Sequence, residues 1–199
     1  MTSLMNSVFI FAKPNRMGVS KTRLAREIGV SEARRVNAMM TSRVMRASRD
    51  PRWQTAIMAA PDDALYTRQP LWPAPLPRLS QGDGNLGDRM RRAFDLAPVG
   101  NVIMIGTDMP DLSPRLIWKA IRLLQRHDAV LGPADDGGFW LFGQTKRVKT
   151  TPPFKDVRWS TEHAMSDVVS NLGQARIGYL PQLTDIDDAA ALKAWMSGP

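Results

Sequence analysis

The sequence predicts an α/β protein of three layers, with a mixed, mainly parallel sheet between helices, built as a single domain over residues 1–199. Three observations lead there. Val102 to Ile105 is an unbroken apolar run, too short for a confident helix and without alternation, as in a strand covered on both faces. Other short apolar runs, at 8–12, 55–60, 128–131 and 175–180, alternate with stretches of helical period. A chain of 199 residues, 43% hydrophobic and 23% charged, can bury one substantial core but is short for two full domains.

Val8–Ala12 opens the sheet. The loop after it carries Pro14, Gly18 and the cations Lys13, Arg16, Lys21 and Arg23, at the place where α/β proteins commonly gather phosphates on backbone N–H groups and positive charge. It is not a P-loop, because Asn15 and Ser20 stand where G-x-x-x-x-G-K-[ST] needs glycines. Ser31 is suited to cap a helix whose Ala33, Val36, Met40, Val44 and Ala47 recur at spacings of three and four. Asp50-Pro51 ends that helix, and Thr55–Ala60 forms a second strand closed by Pro61-Asp62-Asp63. Four prolines between Tyr66 and Pro77 give an irregular connection.

Leu76–Gln81 reads as an edge strand leading into the loop Gly82-Asp83-Gly84-Asn85-Leu86-Gly87, and a helix follows with Leu86, Met90, Ala93, Phe94 and Ala97 on one face. With Asp108 downstream, this G-x-G-x-x-G matches the dinucleotide fingerprint on paper. The strand before it contains a proline and comes third in the chain rather than being buried and central, so an NAD-dependent oxidoreductase is the lesser reading.

The Val102 strand delivers Asp108 at its carboxyl end and is stopped by Pro110, which has no N–H for a ladder. Ligand crevices of open α/β sheets lie at that end of the strands, which makes Asp108 the leading functional residue. Ser113-Pro114 starts a helix with Leu116, Ile117, Ala120, Ile121 and Leu124 as its buried stripe, ended by His127. Strands at 128–131 and 139–142 flank Gly132–Gly138, where a glycine pair followed by Phe139-Trp140 resembles a close backbone approach to a ligand beside an aromatic wall. A helix burying Ala164, Met165, Val168, Val169 and Leu172 precedes the last strand, and Asp185-Ile186-Asp187-Asp188 starts a terminal helix.

Composition narrows the chemistry. With no cysteine and with two histidines far apart, any metal must be held mainly by oxygen, which points to Mg2+ or Mn2+. The net charge of +8 comes from scattered cations, so specific nucleic-acid recognition is not expected, only weak, salt-sensitive binding. No apolar run approaches the length of a membrane span, and no basic leader precedes one, so a cytoplasmic location is the expectation. Nothing in the sequence specifies an oligomeric state.

Several motifs together carry a resemblance: Phe11-Ala12-Lys13-Pro14 with Gly18-x-x-Lys21-Thr22-Arg23-Leu24; Gln81-Gly82-x-Gly84-x-Leu86-Gly87-x-Arg89-Met90; Ile105-Gly106-Thr107-Asp108-x-Pro110; Gly132-Pro133-Ala134-x-Asp136-Gly137-Gly138-Phe139-Trp140-Leu141; and Trp159-Ser160-Thr161. From about Val8 to Trp195 the chain resembles small bacterial proteins of the glycosyltransferase-A fold, described as nucleotide-diphospho-sugar transferases, some associated with arsenosugar biosynthesis. It is also similar to the 2-phospholactate and molybdenum-cofactor guanylyltransferases, whose tail carries an Asp-x-Asp like Asp185-x-Asp187. Two positions depart from these patterns. Gly106 stands where glycosyltransferases place the first Asp of a central Asp-x-Asp, and Ala12-Lys13 stands where the nucleotidyltransferases begin their loop with two glycines.

The resemblance implies a metal-dependent transferase that binds a nucleotide-sugar and passes the sugar to a small-molecule acceptor. The alternatives are nucleotidyl transfer from an NTP to a phosphorylated small molecule, and a nucleotide-sensing module without catalysis. In this scheme Lys13, Lys21 and Arg23 meet the phosphates, while Asp62, Gly82, Gly84 and Gly87 hold base and ribose. Asp108 and Asp187 bind the cation, Asp108 and Asp136 are the catalytic candidates with Asp136 as general base, and Gly137, Gly138 and Trp140 shape the acceptor side.

Overall fold

A computed structural model of the protein describes residues 4–16 and 21–197. Its strands are β1 (Met5–Ala12), β2 (Gln54–Ala59), β3 (Arg78–Ser80), β4 (Gly100–Ile105), β5 (Ala129–Pro133), β6 (Phe139–Lys146) and β7 (Ile177–Tyr179). Its α-helices are α1 (Thr22–Ile28), α2 (Val30–Ala47), α3 (Leu86–Leu96), α4 (Pro114–Leu123), α5 (Ala164–Leu172) and α6 (Ala189–Ser197). The strands form one sheet in the order β3-β2-β1-β4-β6-β5-β7, parallel except where β6 pairs antiparallel with β4 and β5.

The middle position of β4 follows from its sequence, since all its residues are buried and a strand covered on both faces must lie inside the sheet. Successive side chains point to opposite faces. Ile103 and Ile105 join Val8 and Ile10 under α2 and α4, whereas Val102 and Met104 join Phe9 under α3 and α5. The two faces thus make two hydrophobic layers, completing an α/β/α arrangement. β3 is a three-residue edge strand, which suits a segment preceded by Pro77.

Helix boundaries differ from the sequence expectation in three places. Thr22–Ile28 is helical, so Arg23 lies in the first turn of α1 and not in a loop. Gly29, at φ 85, is the N-cap of α2, which leaves Ser31 inside the helix; a glycine takes this left-handed angle without a Cβ clash, and the junction between α1 and α2 needs it. Asp185 to Asp188 precede α6, and the Asp188 carboxylate accepts a hydrogen bond from the Ala191 N–H at 2.8 Å. By contrast Ser113 caps α4 as expected, accepting from the Leu116 N–H.

This topology gathers the loops that matter at one edge. The parallel strands β1, β2, β3 and β4 all end there, antiparallel β6 begins there, and β5 and β7 end there. Lys13, Asp62, Gly82, Asp108, Asp136 and Asp185 follow those ends, or precede β6, so residues far apart in the chain share the carboxyl edge of the sheet.

Candidate active site

Asp108 is brought to the edge by β4 and meets the segment that follows β7. That segment runs on past β5, where the Leu183 N–H bonds to the Pro133 carbonyl and the Ile186 N–H to the carbonyl of Asp108 at 3.4 Å. Ile186 is fully buried among Leu24, Val36, Met40 and Leu192. In an extended stretch neighbours point the opposite way, so burying Ile186 turns Asp185 and Asp187 toward Asp108. One carboxylate oxygen from each of Asp108, Asp185 and Asp187 lies within 4.8 Å of the others. Oxygens bound to one Mg2+ or Mn2+ at about 2.0–2.6 Å are at most about 4–5 Å apart, so this all-oxygen trio fits a single divalent ion. Asp185 is the member that reading for individual ligands missed. The alternation Asp-Ile-Asp was the available signal, because an apolar residue between two acids marks an extended anchor better than a helix start.

Lys21 sits at the centre of the trio. Its Nζ lies 2.8 Å from Asp108, 3.5 Å from Asp185 and 2.5 Å from Asp187, and its side chain is 4% exposed. Burial alone would lower its pKa, but the three carboxylates and the hydrogen bond to Asp108 outweigh it and hold the amine above its ordinary value. The pKa of Asp185 is raised as well, which for a carboxylate disfavours the charged form: burial pushes it up to about 7, against the pull of Lys21, with Asp108, Asp187 and Asp136 adding to the rise. The sequence assigned Lys21 to phosphate, whereas in the structure its charge is spent on carboxylates. The expected partners Met17 to Ser20 of that loop, Gly18 included, lie outside the described residues.

Above the trio opens a cavity of about 670 Å³, lined by Lys13, Lys21, Gly84, Arg89, Asp108 and Asp187 among others. A second cavity of about 440 Å³ shares Lys13 and Arg89 with it and adds Asp62 and Gly82. These shared walls make the two neighbouring lobes of one cleft. Gly82 and Gly84 take φ of 70 and 95, so the turn closes without a Cβ penalty, and Gly82 donates to Ser80 Oγ, whose hydroxyl bonds to Asp62. Arg89 donates to the Gly84 carbonyl and to Gln81 Oε1, and buried Gln81 in turn donates to the Met58 carbonyl, so the loop is tied to β2. A cation near the start of α3 opposes the helix dipole. Its presence there is the physical hint that Arg89 serves the cleft.

Other predicted residues fall elsewhere. Arg23, exposed in α1, is not among the residues lining either cavity. Gly87 lies in the first turn of α3 under Trp159, where an added Cβ would come 2.7 Å from the indole nitrogen. Trp140 is 3% exposed, packs against Gly132 and donates its indole N–H to the Pro181 carbonyl at 3.2 Å. Trp140 is therefore a core residue and not a wall, because strand alternation sends it beneath the sheet layer; the tryptophan that lines the cleft is Trp159. Gly137, at φ 84, packs against the backbone of Glu162 and accepts from the Met165 N–H, and the Gly138 N–H donates to Asp136 at 2.8 Å. All three residues thus shape a turn, although Asp136 is close enough to raise Asp185.

A larger groove, of about 880 Å³, runs along α4 between Ser113 and Arg126. No acid is among the described residues that line it, so the all-oxygen trio belongs to the smaller cleft at the sheet edge.

None of the curated proteins matches the chain. Among solved structures, a protein of Desulfovibrio desulfuricans G20 provisionally named a nucleotide-diphospho-sugar transferase is 26% identical, with a TM-score of 0.83 over 94% of this chain and 84% of that one. The 4-diphosphocytidyl-2C-methyl-D-erythritol synthase of Anaerococcus prevotii DSM 20548 shares the fold at 11% identity and a TM-score of 0.59, over 96% and 95% of the two chains. Rv0371C of Mycobacterium tuberculosis H37Rv, in its manganese complex, shares it at 12% identity and a TM-score of 0.53, over 99% and 100%. The fold is that of nucleotide-diphospho-sugar transferases and nucleotidyltransferases. The family model described as "Uncharacterized protein conserved in bacteria (DUF2064)" matches residues 43–161, and the chain belongs to that family.

Proposed function

We propose that this protein is a divalent-metal-dependent transferase that binds a nucleotide-sugar at the carboxyl edge of its sheet and passes the sugar to a small-molecule acceptor. The observation that carries the reading is the meeting of Asp108, Asp185 and Asp187 within 4.8 Å at the foot of a cleft that also presents Lys13 and Arg89. Acids alone would repel a nucleotide. Acids that hold a Mg2+ or Mn2+, beside two cations, instead make a diphosphate site. The ion would supply charge neutralisation at the leaving diphosphate. Lys13 and Arg89 orient the phosphates, the Gly82–Gly84 backbone admits the nucleoside, and Trp159 walls the cleft. Likeness to the Desulfovibrio protein supports the same reading.

A second reading, nucleotidyl transfer from an NTP, is favoured by one feature. Two of the three acids come from the tail pair Asp185-x-Asp187, and the central strand contributes Asp108 without an acid at Gly106.

Thermal shift against nucleoside diphosphates, NTPs and nucleotide-sugars, each with and without Mn2+, tests both. Stabilisation by a nucleotide-sugar that requires Mn2+ and disappears in Asp108→Asn is expected; no stabilisation by any nucleotide overturns the proposal. Pyrophosphate release from an NTP and a phosphorylated acceptor would transfer the assignment to the second reading.

A further inference from the structure

Three carboxylates that fit a divalent ion are here all paired with the protein's own ammonium. We infer that Lys21 is a built-in placeholder that competes with the divalent cation for Asp108, Asp185 and Asp187, and that it couples metal entry to nucleotide binding by exchanging carboxylates for phosphate. This inference rests on the nucleotide reading above only in its second half.

Geometry allows no sharing. Lys21 Nζ stands 2.8, 3.5 and 2.5 Å from an oxygen of Asp108, Asp185 and Asp187, the same three carboxylates that bring one oxygen each within 4.8 Å of the others, so the ammonium takes up the carboxylates an ion would need. Electrostatics forbids it as well, since a divalent ion and an ammonium a few ångströms apart repel strongly in a partly buried place. Lys21 must therefore withdraw before the trio can close on a metal. It has somewhere to go. The residue lines the same cleft as Lys13 and Arg89, its four-carbon stem is flexible, and an ammonium is a good phosphate partner as a point charge.

The backbone is consistent with a held position. Lys21 is the N-cap of α1 at φ 55, a left-handed conformation that lysine rarely adopts, and no side-chain cap hydrogen bond secures it. Its side chain is held by the three ion pairs. Without ligand the trio is screened and resists adventitious cations; when a nucleotide arrives, its phosphates offer Lys21 a new partner and free the acids. Metal and nucleotide should then bind with positive coupling beyond that of their direct contact, and the coupling must be reciprocal.

The test measures Mn2+ binding to the full chain by calorimetry and by the melting temperature, for wild type, Lys21→Met and Lys21→Arg, with and without a nucleoside diphosphate. Lys21→Met, which keeps the stem and removes the charge, should bind Mn2+ alone about tenfold more tightly or better, a difference of about 1.4 kcal/mol. It should also melt lower than wild type in EDTA and recover with Mn2+, because three unpaired acids then face one another. Lys21→Arg keeps a competing cation and should stay near wild type, and this guards against a Met variant that merely folds poorly. The gain in Mn2+ affinity on adding nucleoside diphosphate should shrink in Lys21→Met. Mn2+ binding that is equal in wild type and Lys21→Met, weaker in Lys21→Met, or absent from all three proteins overturns the inference. Tight Mn2+ binding by Lys21→Met with no nucleotide binding by any variant leaves the competition standing and overturns the nucleotide reading instead.

Discussion

Ile186→Ala should loosen the candidate metal site without touching a charged group. The side chain is fully buried in a small cluster with Leu24, Ala33, Val36, Met40 and Leu192, contributed by α1, α2 and α6. Truncating a buried isoleucine to alanine costs about 2–5 kcal/mol, depending on how far the neighbours collapse into the gap. This cluster has only six buried members among the described residues, so the lower part of that range applies, about 2–3 kcal/mol. For a chain of this size each kcal/mol lowers the melting temperature by about 2–4 °C, which gives a fall of about 4–12 °C. Ile186→Val keeps most of the anchor and should cost only about 0.5–1.5 kcal/mol. Calorimetric melting measures both. The same anchor turns Asp185 and Asp187 toward Asp108, so Ile186→Ala should also weaken Mn2+ binding while Ile186→Val leaves it nearly unchanged. A shift under about 1 °C for Ile186→Ala would show that the side chain is not packed as described. A full loss of stability with unaltered Mn2+ affinity would show that something else positions the acids.

Asp108→Asn and Asp187→Asn should each remove most of the Mn2+ effect on nucleoside-diphosphate binding, and the double variant should be little worse than either, as for ligands of one ion; additive losses would argue against a shared ion. Gly87→Ala places a Cβ 2.7 Å from Trp159 Nε1 and 2.9 Å from the Phe154 carbonyl, so it should cost about 1–3 kcal/mol and displace the wall of the cleft. Unchanged melting together with unchanged nucleotide binding would refute that packing. Hydrogen bonds from Arg52 hold the Asp50 carboxylate at about 2, below its ordinary value near 3.8, so the stabilisation it brings is present above about pH 4 and is lost as pH falls toward 2. Asp50→Asn should therefore melt below wild type near neutrality, with the gap closing through that window; a gap independent of pH would assign the loss to packing rather than charge.

The sheet was legible because its strands carry their burial in their composition. Val102 to Ile105 is apolar without alternation, and it lies in the middle of seven strands with helices on both faces. The position of Asp108 at the carboxyl end of that strand followed from the same four residues and the proline after them. Side-chain direction was not legible in the same way. A doubly covered strand has two apolar faces, so Phe139-Trp140 reads alike whichever ring faces the cleft, and only the packing of Trp140 against Gly132 and the Pro181 carbonyl assigns it to the core. Helix signals suffered from a similar ambiguity. Acids at 185, 187 and 188 satisfy the dipole of a following helix, and that sufficient explanation hid the extended anchor at Ile186.

Lys21 shows the remaining limit of reading charge along a chain. Sequence places a lysine in a basic loop after the first strand and thereby points to an anion, but an isolated lysine does not say which anion. The candidates here are a ligand phosphate and three carboxylates that lie 87, 164 and 166 residues away in the chain. Folding brings the carboxylates to the ammonium before any ligand is present, in three ion pairs around a lysine whose own side chain is 4% exposed. A phosphate has to arrive against that competition. A basic residue predicted to bind a ligand can thus be occupied by the protein itself, and its affinity for the ligand is then the difference between two electrostatic contacts rather than the strength of one.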